Sequence, residues 1–598
     1  MPRRALFNRK NLFQNIVFAF CLLFGLALIG NTQSAGEGTW FWYSFFLNGG
    51  QRLYADMHLA LQPLFVLETS AFMTLLGKGW LVSKIPAALH LVAFCLGLLL
   101  LVRQSSLSDA RKAIVLAVSF FVVISFEAYQ FADYHVLADC FVLYSIIALL
   151  SLGSSSSTRH TLALAATLGA LSALTLTTRL NDGAALFIGV FIAIACLAPS
   201  KRLLSLLLFF LGTALTLLLI VRHTGDTLHD YAEYSIFNAA GSKGGGNNVF
   251  IQPLRLPWNT AQWLIHNQPA WALLYALALA LAWSLMIRPI HGPRGRWPLG
   301  LTVFAIFSFA VLALLVRPFN DITLLISIAA LVVLLSCALG IWVTARFIYS
   351  LLAKHPIEWE RREILLLIPL GQLASGSMSS GGTHLGLYGP VGFLIIVMAI
   401  SSPIELKTER SRDVLFALGI MLILCTATFR FNDPYSWHTY GEKPLFANRI
   451  WYRHPDYGPM IIDRDLLHMI QPACQKLQDN GADNELLSIP FSYPNYFCAI
   501  PPWHGYVQTF FDTTSAQTIQ DLMNDLQSAP PKWIFYQRQL KTLRLHEALY
   551  NQSRPLQQRH LDQLIDQKIG DGQWKIVYTS SFGNTQKWDN KWILIQTR

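Results

Sequence analysis

The chain has 598 residues, 53% of them hydrophobic and only 13% charged, with a formal net charge of +11 and a mean hydropathy of +0.41. A soluble domain usually carries about 25% charged residues, so this composition excludes an ordinary soluble enzyme, a disordered chain and a fibrous repeat. Residues 1–429 hold 18 of the 34 acids and the last 169 hold the other 16, which places a large membrane-embedded part before a water-soluble domain.

Apolar runs of about 20 residues can cross a bilayer. They predict thirteen spans, near 12–30, 83–102, 112–131, 137–152, 161–178, 183–199, 203–221, 269–287, 299–316, 322–345, 364–378, 387–401 and 413–430. No small-residue cleavage pattern follows the first before Glu37, so it reads as a retained signal anchor. The run 61–76 is amphipathic, follows Pro63 and holds Gln62 and Glu68; it reads as an interfacial helix. With the N-terminus inside, the inner loops carry 20 of the 28 basic residues of 1–429. The positive-inside rule then puts the C-terminal domain outside. The basic clusters lie between apolar runs and form no aromatic-interleaved stripe, which excludes a nucleic-acid partner.

The fold class expected is therefore a polytopic α-helical membrane domain over 1–430 and an extracytoplasmic α/β domain over 431–598. In the second, 485–491 and 532–538 read as short buried strands and 463–479 and 515–528 as helices. The tail from 575 reads as a closing hairpin. Cys474 and Cys498 lie on the oxidising side; spacing leaves their pairing open.

Carboxylates gather at the predicted outer face. A first loop, 31–82, holds Glu37 and Asp56 with His58. The second holds Asp133 and His135 near Asp139, and the third is the turn Arg179–Asp182. The fourth, 222–268, carries "GSKGGGNN" (241–248) with Lys243 and Arg255, and the fifth contains Arg317. Ionisable groups near hydrocarbon are costly and commonly functional, and several short loops aimed one way imply a polar cavity. The glycine run lacks the Lys-Ser/Thr of a phosphate loop and suits a lid or a linker. No CxxC or HExxH occurs, so no metal is assigned, while a divalent cation stays open.

The stretch "GEGTWFWYSFFLNGGQRLYADMHLALQPLF" (36–65) resembles the first outer loop of C-type membrane glycosyltransferases (GT-C) that use polyprenyl-phosphate sugars. These include protein O-mannosyltransferases and lipid A aminoarabinose transferases. Glu37, Gly50, Leu53, Tyr54, Asp56 and Pro63 carry the match, supported by "TLTTRLNDGAALF" (175–187) and by Pro490, Pro494 and Tyr496. The resemblance implies sugar transfer, with inversion, from a polyprenyl-phosphate donor to an extracytoplasmic glycan, lipid or protein. Gly36 stands where many members have the first acid of a pair, so the resemblance carries the base over only to Glu37, with Asp56 or a carboxylate of another loop as the alternative. The donor phosphate calls for a cation: Arg179 or Arg317, with Lys243 and Arg255 as runners-up. His58, Asp133, His135, Asp139 and Asp182 would complete the polar cavity. A secondary transporter or flippase is the alternative, opposed by the outward clustering of acids and the absence of a repeat between halves.

Overall fold

The computed structural model describes residues 11–31, 35–105, 107–124, 132–153, 157–198, 201–238, 251–267, 361–380, 382, 387–401, 427–428 and 430–432. It also describes parts of 330–345, and 444–597 apart from 483–485, 539–542, 545, 549–550, 552 and 582–590. Five helices among these residues are long and apolar enough to cross a membrane: α1 (Leu12–Asn31), α4 (Leu81–Arg103), α6 (Tyr134–Leu152), α8 (Leu180–Leu197) and α9 (Arg202–His223). The chain is a multi-pass membrane protein. Leu203, Leu207, Leu211, Leu215 and Leu218 stand exposed along α9, an apolar face that only lipid would solvate favourably.

Two short apolar helices, α2 (Ala35–Asn48) and α3 (Leu64–Leu76), fill the loop between α1 and α4. The run read over 61–76 thus starts at Leu64, with Pro63 as its N-cap. Helices α5 (Asp109–Ile124) and α7 (Thr158–Leu176) occupy the spans expected at 112–131 and 161–178. Beyond α9 come short α10 (Leu228–Ala232), α11 (Gln252–Asn267), α12 (Arg361–Ser379) and α13 (Tyr388–Ser401). The expected spans 269–287 and 299–316, most of 322–345 and most of 413–430 lie outside the described residues.

Backbones approach closely where side chains are missing. Helices α7 and α9 pack on each other; a Cβ on Gly169 would collide with the Phe209 backbone, and one on Gly212 with the Ala166 carbonyl. Small residues at a helix crossing let dispersion contacts replace the hydrophobic drive that lipid does not supply.

The C-terminal region has a four-stranded sheet in the order β3-β4-β6-β5, formed by β3 (Leu486–Ile489), β4 (Trp533–Arg538), β5 (Lys575–Ser581) and β6 (Lys591–Gln596). The β3–β4 pair is parallel and the other two are antiparallel. A separate hairpin joins β1 (Arg449–His454) to β2 (Gly458–Asp463). Helices α14 (Arg464–Asp479), α15 (Tyr493–Cys498), α16 (Ala516–Ser528) and α17 (Gln557–Gly570) complete the region. Asp463 caps α14 by accepting from the Asp465 and Leu466 amides, and Ser515 caps α16, each satisfying donors a helix start leaves orphaned. The hairpin, α15 and α17 are elements the sequence pattern did not separate. Cys474 and Cys498 form a disulfide with Cα atoms 5.0 Å apart, tying α14 to α15.

One hydrophobic core runs through both parts. Trp40, Phe41, Tyr54 and Phe65 of the first loop belong to the same buried cluster as Tyr457, Leu466, Tyr493, Phe510 and Trp533. Phe41 meets the Tyr496 ring edge-on at 4.8 Å, and Tyr457 stacks on Tyr496 at 4.6 Å. Such aromatic pairs add about 0.5–1.5 kcal/mol each beyond area burial. The C-terminal region is therefore seated on the first loop rather than tethered beside it.

Candidate active site

The first turn of α2 carries Glu37, where the positive end of the helix dipole favours an anion. The first turn of α4 carries Lys84. Their side chains meet at 2.6 Å, Lys84 Nζ donating to Glu37 Oε1, and both residues are only 4% exposed. The Trp80 ring lies 5.7 Å from the same ammonium. The sequence neighbours of Glu37 supply no cation, but Lys84, 47 residues on, does. Holding this pair out of water needs near-contact geometry, and removing one member of such a pair costs about 3–5 kcal/mol.

The C-terminal region closes over the pair. A Cβ on Gly38 would lie 2.7 Å from Tyr493 Cα and 2.9 Å from the Ser492 carbonyl oxygen, so α15 sits directly on the turn that presents Glu37. Burial, with smaller contributions from Tyr457 and Glu37, pushes the Tyr496 phenol well up. Burial likewise raises Tyr43, whose phenol bonds with Gln508. Behind them, buried Arg449 pairs with Asp463 at 3.4 Å. Burial lowers the arginine and raises the aspartate against the opposing pull of that arginine. The charges of Arg449 and Lys84 also act on one another. Glu37, Lys84, Arg449 and Asp463 thus make a buried polar layer between the helical bundle and the hairpin.

The other expected residues are engaged locally. Asp56 is exposed and accepts from the Arg52 amide at 2.8 Å and its guanidinium at 2.7 Å; that arginine holds its carboxyl below the usual range. His58 adopts a left-handed φ of 51° with its ring 5.7 Å from Tyr234. Asp133 caps α6 and accepts from the His135 amide at 2.7 Å and bonds its ring at 2.9 Å. Asp139 is buried inside α6, where a Cβ on Gly389 would lie 2.8 Å from its Oδ1; it faces a packed helix. Arg179 pairs with Asp182 at 2.8 Å. Arg255 is exposed on α11, and Lys243 and Arg317 lie outside the described residues. Among the described residues, no three His, Cys, Asp or Glu side chains converge as a metal site would require.

Lys84 is what the sequence pattern missed. It lay inside a run read as the span 83–102, where an ionisable group was itself the signal. Glu68 and His90, which meet at 2.7 Å across α3 and α4, are a second pair of this kind.

No protein-family model matches the chain, and no curated protein matches it. Among solved structures, the chain is similar to ArnT from Cupriavidus metallidurans bound to undecaprenyl phosphate. That match has 11% identity over 98% of this chain and 97% of the other, with a TM-score of 0.39. The apo state of the same protein matches at 10% identity over the same shares, with a TM-score of 0.38. At that score the likeness carries no argument about this chain.

Proposed function

We propose that the protein is a membrane glycosyltransferase of the GT-C kind, moving a sugar from a polyprenyl phosphate to an extracytoplasmic glycan, lipid or protein. In this reading it has thirteen spans, its N-terminus is cytoplasmic, and the C-terminal domain lies on the outer face of a bacterial inner membrane. The observation that carries the reading is the buried Glu37–Lys84 pair under α15, at the start of the stretch that resembles the family's first loop.

The pair supplies two roles the reaction needs. The departing phosphate requires a cation more than an acid, and Lys84 provides one in a water-poor site where charge acts strongly. As a phosphate engages Lys84, the ammonium turns from Glu37, freeing that oxygen to accept the acceptor hydroxyl's proton. The acceptor oxygen bonds to the anomeric carbon, the carbon–phosphate-oxygen bond breaks, and polyprenyl phosphate leaves with the electron pair. One displacement from the face opposite the phosphate inverts the anomeric centre. Asp56, held by Arg52, is a poorer base.

The test is transfer from a radiolabelled polyprenyl-phosphate sugar by the full-length protein in proteoliposomes. Glu37→Gln should lower label transfer about 10²–10⁴-fold, the range of a lost general base, while Asp56→Asn stays within a few-fold of wild type. Label that crosses the bilayer without any glycosyl bond being cut would replace the enzyme with a transporter. Full transfer by a folded Glu37→Gln variant removes Glu37 from the mechanism.

A further inference from the structure

Helix α15 lies against the turn that presents Glu37, yet it has little hold of its own. It spans six residues, Tyr493–Cys498, all of them buried, and its N-cap residue Ser492 makes no side-chain cap bond. Among the described residues the buried Ser492 hydroxyl has no partner, and Ala499 closes the other end with a left-handed φ of 56°. Isolated helices shorter than about 12 residues are marginal in water, so α15 keeps its place through its attachments. Two are hydrogen bonds. Asn495 Nδ2 donates to the Leu486 carbonyl at 3.0 Å, and His454 Nε2 donates to the Phe497 carbonyl at 2.6 Å. A third is covalent, the bond from Cys498 to Cys474.

Helix α14, which carries Cys474, is anchored independently. Leu466, Ile470, Ala473 and Leu477 are fully buried at the spacing of one helix face. The Met469 carbonyl accepts from the Tyr578 hydroxyl at 2.6 Å, and Lys476 donates to the Val577 carbonyl at 2.8 Å, both partners lying on β5. The disulfide therefore joins a fixed helix to a conditional one. It acts at the last residue of α15, while Ser492 and Tyr493, at the other end, lie against Gly38. At 1.5 Å per residue α15 is about 9 Å long, a short strut between the disulfide and the turn that presents Glu37.

We propose that this bond is an oxidation-dependent latch: until Cys474 and Cys498 are joined, α15 is not held on the Gly38 turn and the Glu37–Lys84 site stays incomplete. The inference rests on the outward placement of the C-terminal domain proposed above, and it names how that site is regulated. The oxidant is a disulfide-bearing exchange partner of the outer compartment. One cysteine thiolate attacks the partner's disulfide, forming a mixed disulfide and releasing one partner thiol. The second cysteine then attacks the mixed disulfide, so two protein thiols become one disulfide and the partner's disulfide becomes two thiols. Cys474 and Cys498 are 7% and 4% exposed, so a reductant reaches the closed latch only through local opening. The latch is set once, during assembly.

The experiment compares the wild type with Cys474→Ala/Cys498→Ala, both full length in nanodiscs, by hydrogen exchange read by mass spectrometry alongside sugar transfer. Loss of the cross-link should raise the opening of 492–499 and of 35–39 about a hundredfold. It should leave α16, α17 and the four-stranded sheet as protected as before, and lower transfer roughly tenfold to a hundredfold. Treating the folded wild type with dithiothreitol until Cys474 and Cys498 can be alkylated should give the same pattern without any substitution. Reoxidation with glutathione disulfide should reverse it. Cys196→Ser, at an exposed free cysteine, should change none of these readings. Unchanged exchange at 35–39, full transfer by the reduced protein, or protection lost across the whole C-terminal region overturns the latch. So does alkylation of both thiols by N-ethylmaleimide added directly to cells. The expected exchange response in a wild-type protein that transfers no sugar overturns only the proposed reaction.

Discussion

The acids of the short loops and the acid of the long first loop solve one problem differently. Asp133 finds its partner two residues away in His135, and Asp182 three residues back in Arg179. Glu37 pairs with Lys84, 47 residues on, beneath a helix that comes from position 493 onward. Local partners keep a carboxylate satisfied whatever the rest of the fold does. A distant partner makes it conditional on how the bundle and the C-terminal region pack. Conditional charge is what a reaction can use, because a ligand can displace a partner that the local backbone does not fix.

That contrast can be broken experimentally. The largest stability effect is expected for Lys84→Met, which leaves the Glu37 carboxylate buried without its lysine. It should cost about 3–5 kcal/mol, read as a lower denaturant midpoint in detergent, and adding Glu37→Gln should recover part of the loss. A midpoint unchanged in the single variant would mean the pair is not buried as described. Next comes Gly38→Val, which pushes a branched side chain into the Ser492–Tyr493 backbone. Overpacking of this kind costs about 1–3 kcal/mol, and it should also raise proteolysis of the C-terminal region if that surface is where the two parts meet. The smallest is Asp133→Ala, a lost helix cap worth about 1 kcal/mol. It should leave transfer at the wild-type rate; an activity loss as large as that of Glu37→Gln would return Asp133 to the site and erase the contrast.

Much of the fold was legible because its signals are local. Helix α14, expected over 463–479, runs Arg464–Asp479, and its cap Asp463 sits immediately before it. The strand expected over 532–538 spans Trp533–Arg538, and the α2–turn–α3 arrangement follows the spacing of Gly50, Asp56 and Pro63. The site was legible only in part. Glu37 and Asp56 were both visible in the first-loop pattern, which favours Glu37 without excluding Asp56. Burial separates them: Glu37 is 4% exposed, while the Asp56 side chain is 36% exposed beside Arg52. Spacing also left Cys474 and Cys498 open, and the packing of α15 against α14 closed them.

The amino-acid order by itself determined the division between lipid and water, the helix starts and the short-range acid–base pairs, because hydropathy and capping act over a few residues. It did not determine which lysine neutralises Glu37, that Gly38 admits the α15 backbone, or that one aromatic core joins residues 40–66 to residues 457–535. Those depend on faces brought together across hundreds of residues, where the energy lies in contact geometry and exclusion of water, neither of which leaves a period in the sequence.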